Sequence, residues 1–300
     1  MFEHILVPLD GSSAAEIVFP YVVEIASMFN SSIFLARVAE SASPAVNDEC
    51  RSYLEGAARQ LKSQFVNRGN DGNSTVQTRV LSGNPAIELL KYAAETSAGL
   101  IAVASRGASS EGPWPLGNIA AKILRASSFP VLLVRKRPEN ARLVQKKLFQ
   151  KILAPLDGSR LGEAAIPLAT ALSGKTGAEI VLFRVVEPAA AFTGPTGEIA
   201  WNFMSNYEKN ARGPVMSYLE RTKESLDKNL PGISTAMGEG LPANEIIDYA
   251  HVNNVDLIAM SSHGRSGPSR WAYGSVADKV FRSACVPLLM IRAPGCVLTI

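Results

Sequence analysis

Cysteine is scarce in this chain. Cys50, Cys285 and Cys296 are three among 300 residues, and no two form a close C-x-x-C pair. That argues against a disulfide framework and against a structural zinc site. Histidine is equally scarce, at three. Neither charge dominates: 30 basic residues face 27 acidic ones, for a net charge of +3. Divided at residue 145, the halves hold 14 basic and 13 acidic residues, then 16 and 14. Neither half is the basic module a nucleic-acid binder needs. No apolar run approaches the roughly 18 residues of a membrane span. The opening MFEHILVPLD carries acids early and does not read as a signal peptide. There is no G-x-G-x-x-G, and no lysine follows a glycine-rich loop in Walker fashion, so neither a Rossmann dinucleotide fingerprint nor a P-loop applies. The expectation is a cytoplasmic protein of a reducing compartment, without a nucleic-acid partner or a membrane span.

What the chain does have is apolar residues, 47% against 19% charged, enough to bury real cores. It also repeats itself. ILVPLDGS at residues 5–12 returns as ILAPLDGS at 152–159, and IFLARV at 33–38 aligns with IVLFRV at 180–185, an offset of 147. The offset then becomes 157. LIAVASRG at 100–107 aligns with LIAMSSHG at 257–264, and FPVLLVR at 129–135 with VPLLMIR at 286–292. The ten extra residues belong to the second copy, and EPAAAFTGPTGE at 187–198 is the natural place for them. So long a period means a duplicated domain and not a solenoid. The copies are expected over residues 1–140 and 150–300, joined by the charged linker KRPENARLVQKK at 136–147.

Within each copy, short apolar runs alternate with segments of helical period. Ile17, Tyr21, Ile25 and Met28 are one such helical set, and Ile87, Leu90 and Ala94 another. The order βαβαβαβαβ with continuously apolar strands predicts an α/β fold: two tandem doubly wound, Rossmann-like domains, each with a five-stranded parallel sheet covered on both faces. Ligands of such folds sit beyond the carboxyl ends of the strands. There the first strand of each copy ends in Asp10-Gly11-Ser12 or Asp157-Gly158-Ser159. The fourth strand of copy two leads into SSHGRSGPSRWAYGSVADKV at 261–280. Gly264, Gly267 and Gly274 let the backbone turn and approach a ligand, Ser275 opens a helix whose free N–H groups suit an anion, and Arg265 and Arg270 add positive charge.

A strand ending P-x-D-G-S, followed later by a G-x2-G-x9-G-[S/T] loop, resembles the universal stress protein domain. The resemblance covers nearly the whole chain, twice. It implies binding of ATP or another adenine nucleotide, with Mg²⁺ or Mn²⁺ arriving on the nucleotide, and a stress-related regulatory role with at most slow hydrolysis. The family's first loop glycine is Ser261 here; Gly264, Gly274 and Ser275 match. By the same resemblance Asp157 meets ribose or adenine, Val185 offers backbone groups to the adenine, and Gly264, Gly274 and Ser275 hold phosphates. The equivalents in copy one are Asp10, Val38, Gly107, Gly117 and Asn118, with Ala104 at the first glycine position. Its loop ASSEGPWPL at 108–116 carries Glu111 and no basic residue, so copy two is the better site. The resemblance also implies a pseudo-dimer made by pairing of the last strands within the chain, with a homodimer as a further option.

Plainer readings compete. Asp157 and Ser275 are also good helix caps. His263 has no catalytic partner in sight and is expected to face solvent, and Cys285 is expected to be a buried small apolar residue. Trp114 and Trp271 are expected to pack over the loops. Two other function classes stay open: a nucleotide-free interaction protein, and an adenylating or pyrophosphatase-type enzyme, whose S-G-G-x-D-S loop faintly echoes PLDGS.

Overall fold

The structure is a computed structural model, and the described residues are 1–41, 43–67, 75–107, 116–135, 147–187, 197–265, 267 and 273–293; of residues 197–210 only the helical backbone is described. The linker from residue 136 to 146, Glu111, Trp114, Arg270, Trp271, Cys296 and most of the 187–198 segment lie outside them.

The chain divides into two compact units. One is built on Met1–Leu148 and takes in Pro287–Arg292; the other is built on Phe149–Val286. In the first unit, β1 (His4–Pro8) lies parallel to β2 (Ser32–Ala39) on one side and to β4 (Leu100–Ala104) on the other. β2 continues in parallel to β3 (Val76–Ser82), and β4 to β5 (Val131–Val134). The order β3-β2-β1-β4-β5 is the doubly wound one. The central strands are apolar because both faces are covered: Ile5, Leu6, Leu35, Leu100 and Ala102 are all buried. Strand β3, at the edge, carries Gln77, Thr78 and Arg79 where solvent reaches it. Crossovers are made by α1 (Phe19–Phe29), α2 (Pro44–Asn67), α3 (Pro85–Glu95) and α4 (Asn118–Ala126).

The second unit repeats the scheme. β6 (Lys151–Pro155) is parallel to β7 (Glu179–Val186) and to β9 (Leu257–Ser261), and β7 to β8 (Ile233–Glu239). Its helices are α5 (Ile166–Thr176), α6 (Gly197–Glu224), α7 (Pro242–Val252) and α8 (Ser275–Ser283). Part of the ten-residue insertion is absorbed in α6, of 28 residues against 24 in α2. The final strand of the sequence repeat, β10 (Leu288–Ile291), forms where the apolar run predicts it. It pairs antiparallel with β5, Leu289 opposite Leu132, and so belongs to the first unit. Arg292, just beyond it, donates through Nη1 to the carbonyls of Arg125 and Ser127, 3.1 Å each, at the open C-terminus of α4. Among the described residues no helix is long and apolar enough to cross a membrane.

One side-chain arrangement recurs in both units. Arg37 packs on the ring of Tyr53 at 5.3 Å, and Arg184 on that of Tyr218 at 4.8 Å. Tyr53 donates to Glu16 at 2.9 Å, and Tyr218 to Glu163 at 2.8 Å. The same arginines lie against the turn glycines Gly11 (φ +94°) and Gly158 (φ +86°), where a Cβ would come within 3.0 and 2.8 Å of the guanidinium. The D-G-S turn at the end of the first strand is therefore fixed from two sides, by its backbone conformation and by the arginine above it.

Candidate functional site

At the carboxyl ends of β6, β7 and β9 the second unit opens a cleft of about 460 Å³. Its lining combines two chemistries. Pro155, Leu156, Phe183, Val185, Ile246 and Met260 supply apolar surface. Ser261, His263, Arg265 and Ser275 supply polar groups, with Gly264 and Gly274 beside them and α8 beginning at Ser275. Gly274 stands at the N-cap of α8 and has no side chain with which to cap it, and the first N–H groups of a helix are donors suited to an anion. A cleft lined by both kinds of group suits a ligand with an apolar part and an anionic part.

Asp157 holds the two walls together. Its Oδ1 accepts from Ser159 N (2.9 Å) and Ser159 Oγ (2.7 Å), and that hydroxyl in turn accepts from Gly162 N (3.0 Å). Its Oδ2 accepts from Arg265 N at 2.6 Å, tying β6 to the loop after β9. The helix-cap readings of Asp157 and Ser275 do not hold: Asp157 closes a turn on Ser159, the short helix Gly162–Ala165 has Leu161 at its N-cap, and Gly274 is the N-cap of α8. A carboxylate with four acceptor sites still has capacity toward a ligand. Gly264 is required by this tie: a Cβ there would lie 2.0 Å from Asp157 Oδ2. Gly274 has a different character. Its φ of −54° suits any residue, and among the described residues a Cβ would meet only Ser262 O at 3.7 Å and His263 Cα at 3.9 Å.

Of the residues the sequence singles out in copy two, Asp157, Val185, Ser261, Gly264, Arg265, Gly274 and Ser275 all line this cleft. Gly267 does not line it. It turns the loop at φ +74°, donating its N–H to Gly264 O at 2.9 Å. In copy one Asp10 holds Ser12 N (3.0 Å) and Ser12 Oγ (2.6 Å). A Cβ on Gly107 would lie 1.9 Å from Asp10 Oδ2, and Gly117 caps α4 without a side-chain bond. Val38 lies in β2 opposite Leu81, and Asn118 opens α4.

Two expectations need correction. His263 does not face solvent: it is 5% exposed, hydrogen-bonded to Ser262 Oγ at 2.9 Å and stacked near Tyr273 at 6.4 Å. Tyr273 packs in turn on Phe281 at 5.2 Å, so an aromatic ladder pins both ends of the loop. Cys285 is exposed and not buried, because Ala284 takes the inward position after α8. Among the lining residues the motif reading misses are Phe183 and Glu187. With Val185 they alternate along β7 and its end, so a period-two count from Val185 would have found them on the cleft side. Among the described residues no cluster of three or more His, Cys, Asp or Glu could hold a metal.

The profile of the "Universal stress protein family" matches residues 1–135 and again 148–292. The chain belongs to that family. It is 32% identical over 149 residues to "Universal stress protein MJ0531" of Methanocaldococcus jannaschii, covering 50% of this chain and 85% of that one. It is 22% identical over 255 residues to "Universal stress protein Mb2028c" of Mycobacterium bovis, covering 82% and 77%. Among solved structures, a universal stress protein from Archaeoglobus fulgidus superposes with a TM-score of 0.70 at 20% identity, over 97% of this chain and 99% of the other. That similarity supports the α/β universal stress protein fold, twice in one chain.

Proposed function

We propose that the second repeat binds an adenine nucleotide, ATP foremost, carried in with Mg²⁺ or Mn²⁺, and that occupancy regulates a cytoplasmic stress response with no more than slow hydrolysis. The observation that carries this reading is Gly274. Gly264 is needed for space and Gly267 for its turn, but among the described residues nothing requires a glycine at 274 for either reason. A glycine lining the cleft at an uncapped helix N-terminus is what close approach of a phosphate requires. The apolar part of the lining, Val185 and Phe183 among it, supplies surface for the base. Copy two is the favoured site because Arg265 and Ser275 stand where copy one has Ala108 and Asn118.

The test is the nucleotide content of freshly purified protein after denaturation and chromatography, for wild type, Gly274→Val and Gly117→Val. The wild type and Gly117→Val should each release about one adenine nucleotide per chain and gain melting temperature on addition of ATP, and Gly274→Val should do neither. Release of none by the wild type, with no thermal response to ATP, would leave a nucleotide-free interaction protein. Equal release from all three would move the site away from α8.

A further inference from the structure

The charged side chains that line the described part of the cleft act against the anion-favouring N-terminus of α8. Asp157 and Glu187 bring two carboxylates and Arg265 one guanidinium, which leaves one negative charge over. The guanidinium is moreover engaged: Arg265 Nη2 donates to Glu187 Oε1, with the two side chains 58% and 50% exposed. Arg265 is thus held at both ends, its backbone N–H on Asp157 and its side chain on Glu187.

We propose that Glu187 is a charge-discriminating residue: it makes the cleft accept a nucleotide polyphosphate as its divalent-cation complex and disfavour the free polyanion. The inference rests on the nucleotide reading above. An entering phosphate chain competes with Glu187 for Arg265 and leaves the displaced carboxylate beside it. A solvent-exposed ion pair opens at little cost, so Arg265 is not locked away. The like-charge encounter that follows is the selective element, a repulsion built against one form of the ligand. A divalent cation on the phosphates removes most of that repulsion, and an uncharged nucleoside never meets it.

The experiment is equilibrium titration of full-length wild type, Glu187→Gln and Glu187→Asp with adenosine, ATP in excess EDTA, and ATP in excess Mg²⁺. In the wild type ATP should bind more weakly in EDTA than with Mg²⁺. Glu187→Gln, which keeps shape and removes charge, should tighten ATP in EDTA by roughly fivefold and leave adenosine unchanged. Glu187→Asp should keep the wild-type ratio of the two ATP affinities. If Glu187→Gln leaves that ratio where it was, or shifts adenosine as much as ATP, the proposal is overturned while nucleotide binding stands. If folded wild type binds no adenine ligand at all, the nucleotide reading falls and the proposal with it.

Discussion

The two repeats carry the same scaffold at the ends of their first and fourth strands and differ in what they hang on it. Each has an aspartate closing a D-G-S turn, a glycine pressed under its carboxylate, and a glycine at an uncapped helix N-terminus. The second adds His263 and Tyr273 at the base of the loop, where the first has Arg106 and Leu116, and Phe183 where the first has Ala36. Of the shared features, the aspartate and the glycine under its carboxylate are explained by folding, whereas the glycine at the helix N-terminus, Gly117 or Gly274, is not crowded by the described residues in either repeat. Under the proposed function, Arg265 and Ser275 are what the second repeat adds toward a ligand.

The largest effect should come from the shared glycines. Gly264→Ala and Gly107→Ala each drive a methyl into a carboxylate that the backbone needs, with separations of 2.0 and 1.9 Å before relaxation. Overpacking of this kind costs about 1–3 kcal/mol. Chemical denaturation should show both variants destabilised alike, with or without nucleotide, while Gly274→Ala stays within about 0.5 kcal/mol of wild type. A Gly274→Ala protein as unstable as Gly264→Ala would erase the distinction between a structural and a ligand-facing glycine.

A smaller effect separates the helices that follow the third strands. Asn84 caps α3, its side chain accepting from Ile87 N at 3.4 Å. Leu241 occupies the same place before α7, without a side-chain cap and 61% exposed, next to Pro242 on the cleft wall. The second repeat gives up a cap at the rim of its cleft. Leu241→Asn should raise stability by about 0.5–1 kcal/mol, and Asn84→Ala should lower it by about as much. Urea midpoints at unchanged slope would measure both, and a destabilised Leu241→Asn would mean that Leu241 packs in a way its exposure does not suggest.

Most of this fold is legible in the sequence. The alternation of apolar runs and helical periods, with segments aligned at offsets of 147 and 157, accounts for the first, second, fourth and fifth strands of both copies. The candidate cleft is legible where it depends on spacing, because Asp157, Gly264, Gly274 and Ser275 stand in one motif. It is not legible where it depends on through-space packing. His263 is buried by Tyr273, ten residues on and across a loop, and no local period announces that pairing. Cys285 sits in an apolar run that suggests burial, yet the helix ends at Ser283 and turns the next side chain, Ala284, inward instead. The first repeat hinted at this, since Ser127 is buried and Ser128 exposed at the corresponding positions. Gly264 and Gly274 are equal as letters; only the position a Cβ would take tells them apart.

The smallest expected effect concerns what the repeats share most closely, the Arg–Tyr–Glu groups. Burial, followed by the hydrogen bond to Glu16, pushes the Tyr53 hydroxyl above its ordinary range; burial and the bond to Glu163 do the same for Tyr218. A pKa raised in the folded state means that the unfolded chain loses its proton first as pH rises. The contribution of each tyrosine is therefore complete below about pH 10 and is lost progressively above it. Stability measured by denaturation between pH 9 and 11 should fall with pH, and the fall should be shallower in Tyr53→Phe and in Tyr218→Phe, by similar amounts. Similar slopes in the two variants would mark this group as common framework, and a flattened slope in Tyr218→Phe alone would place it with the features that set the second repeat apart. An unchanged slope in both would mean that other groups carry the alkaline response, since a phenylalanine has no proton to lose.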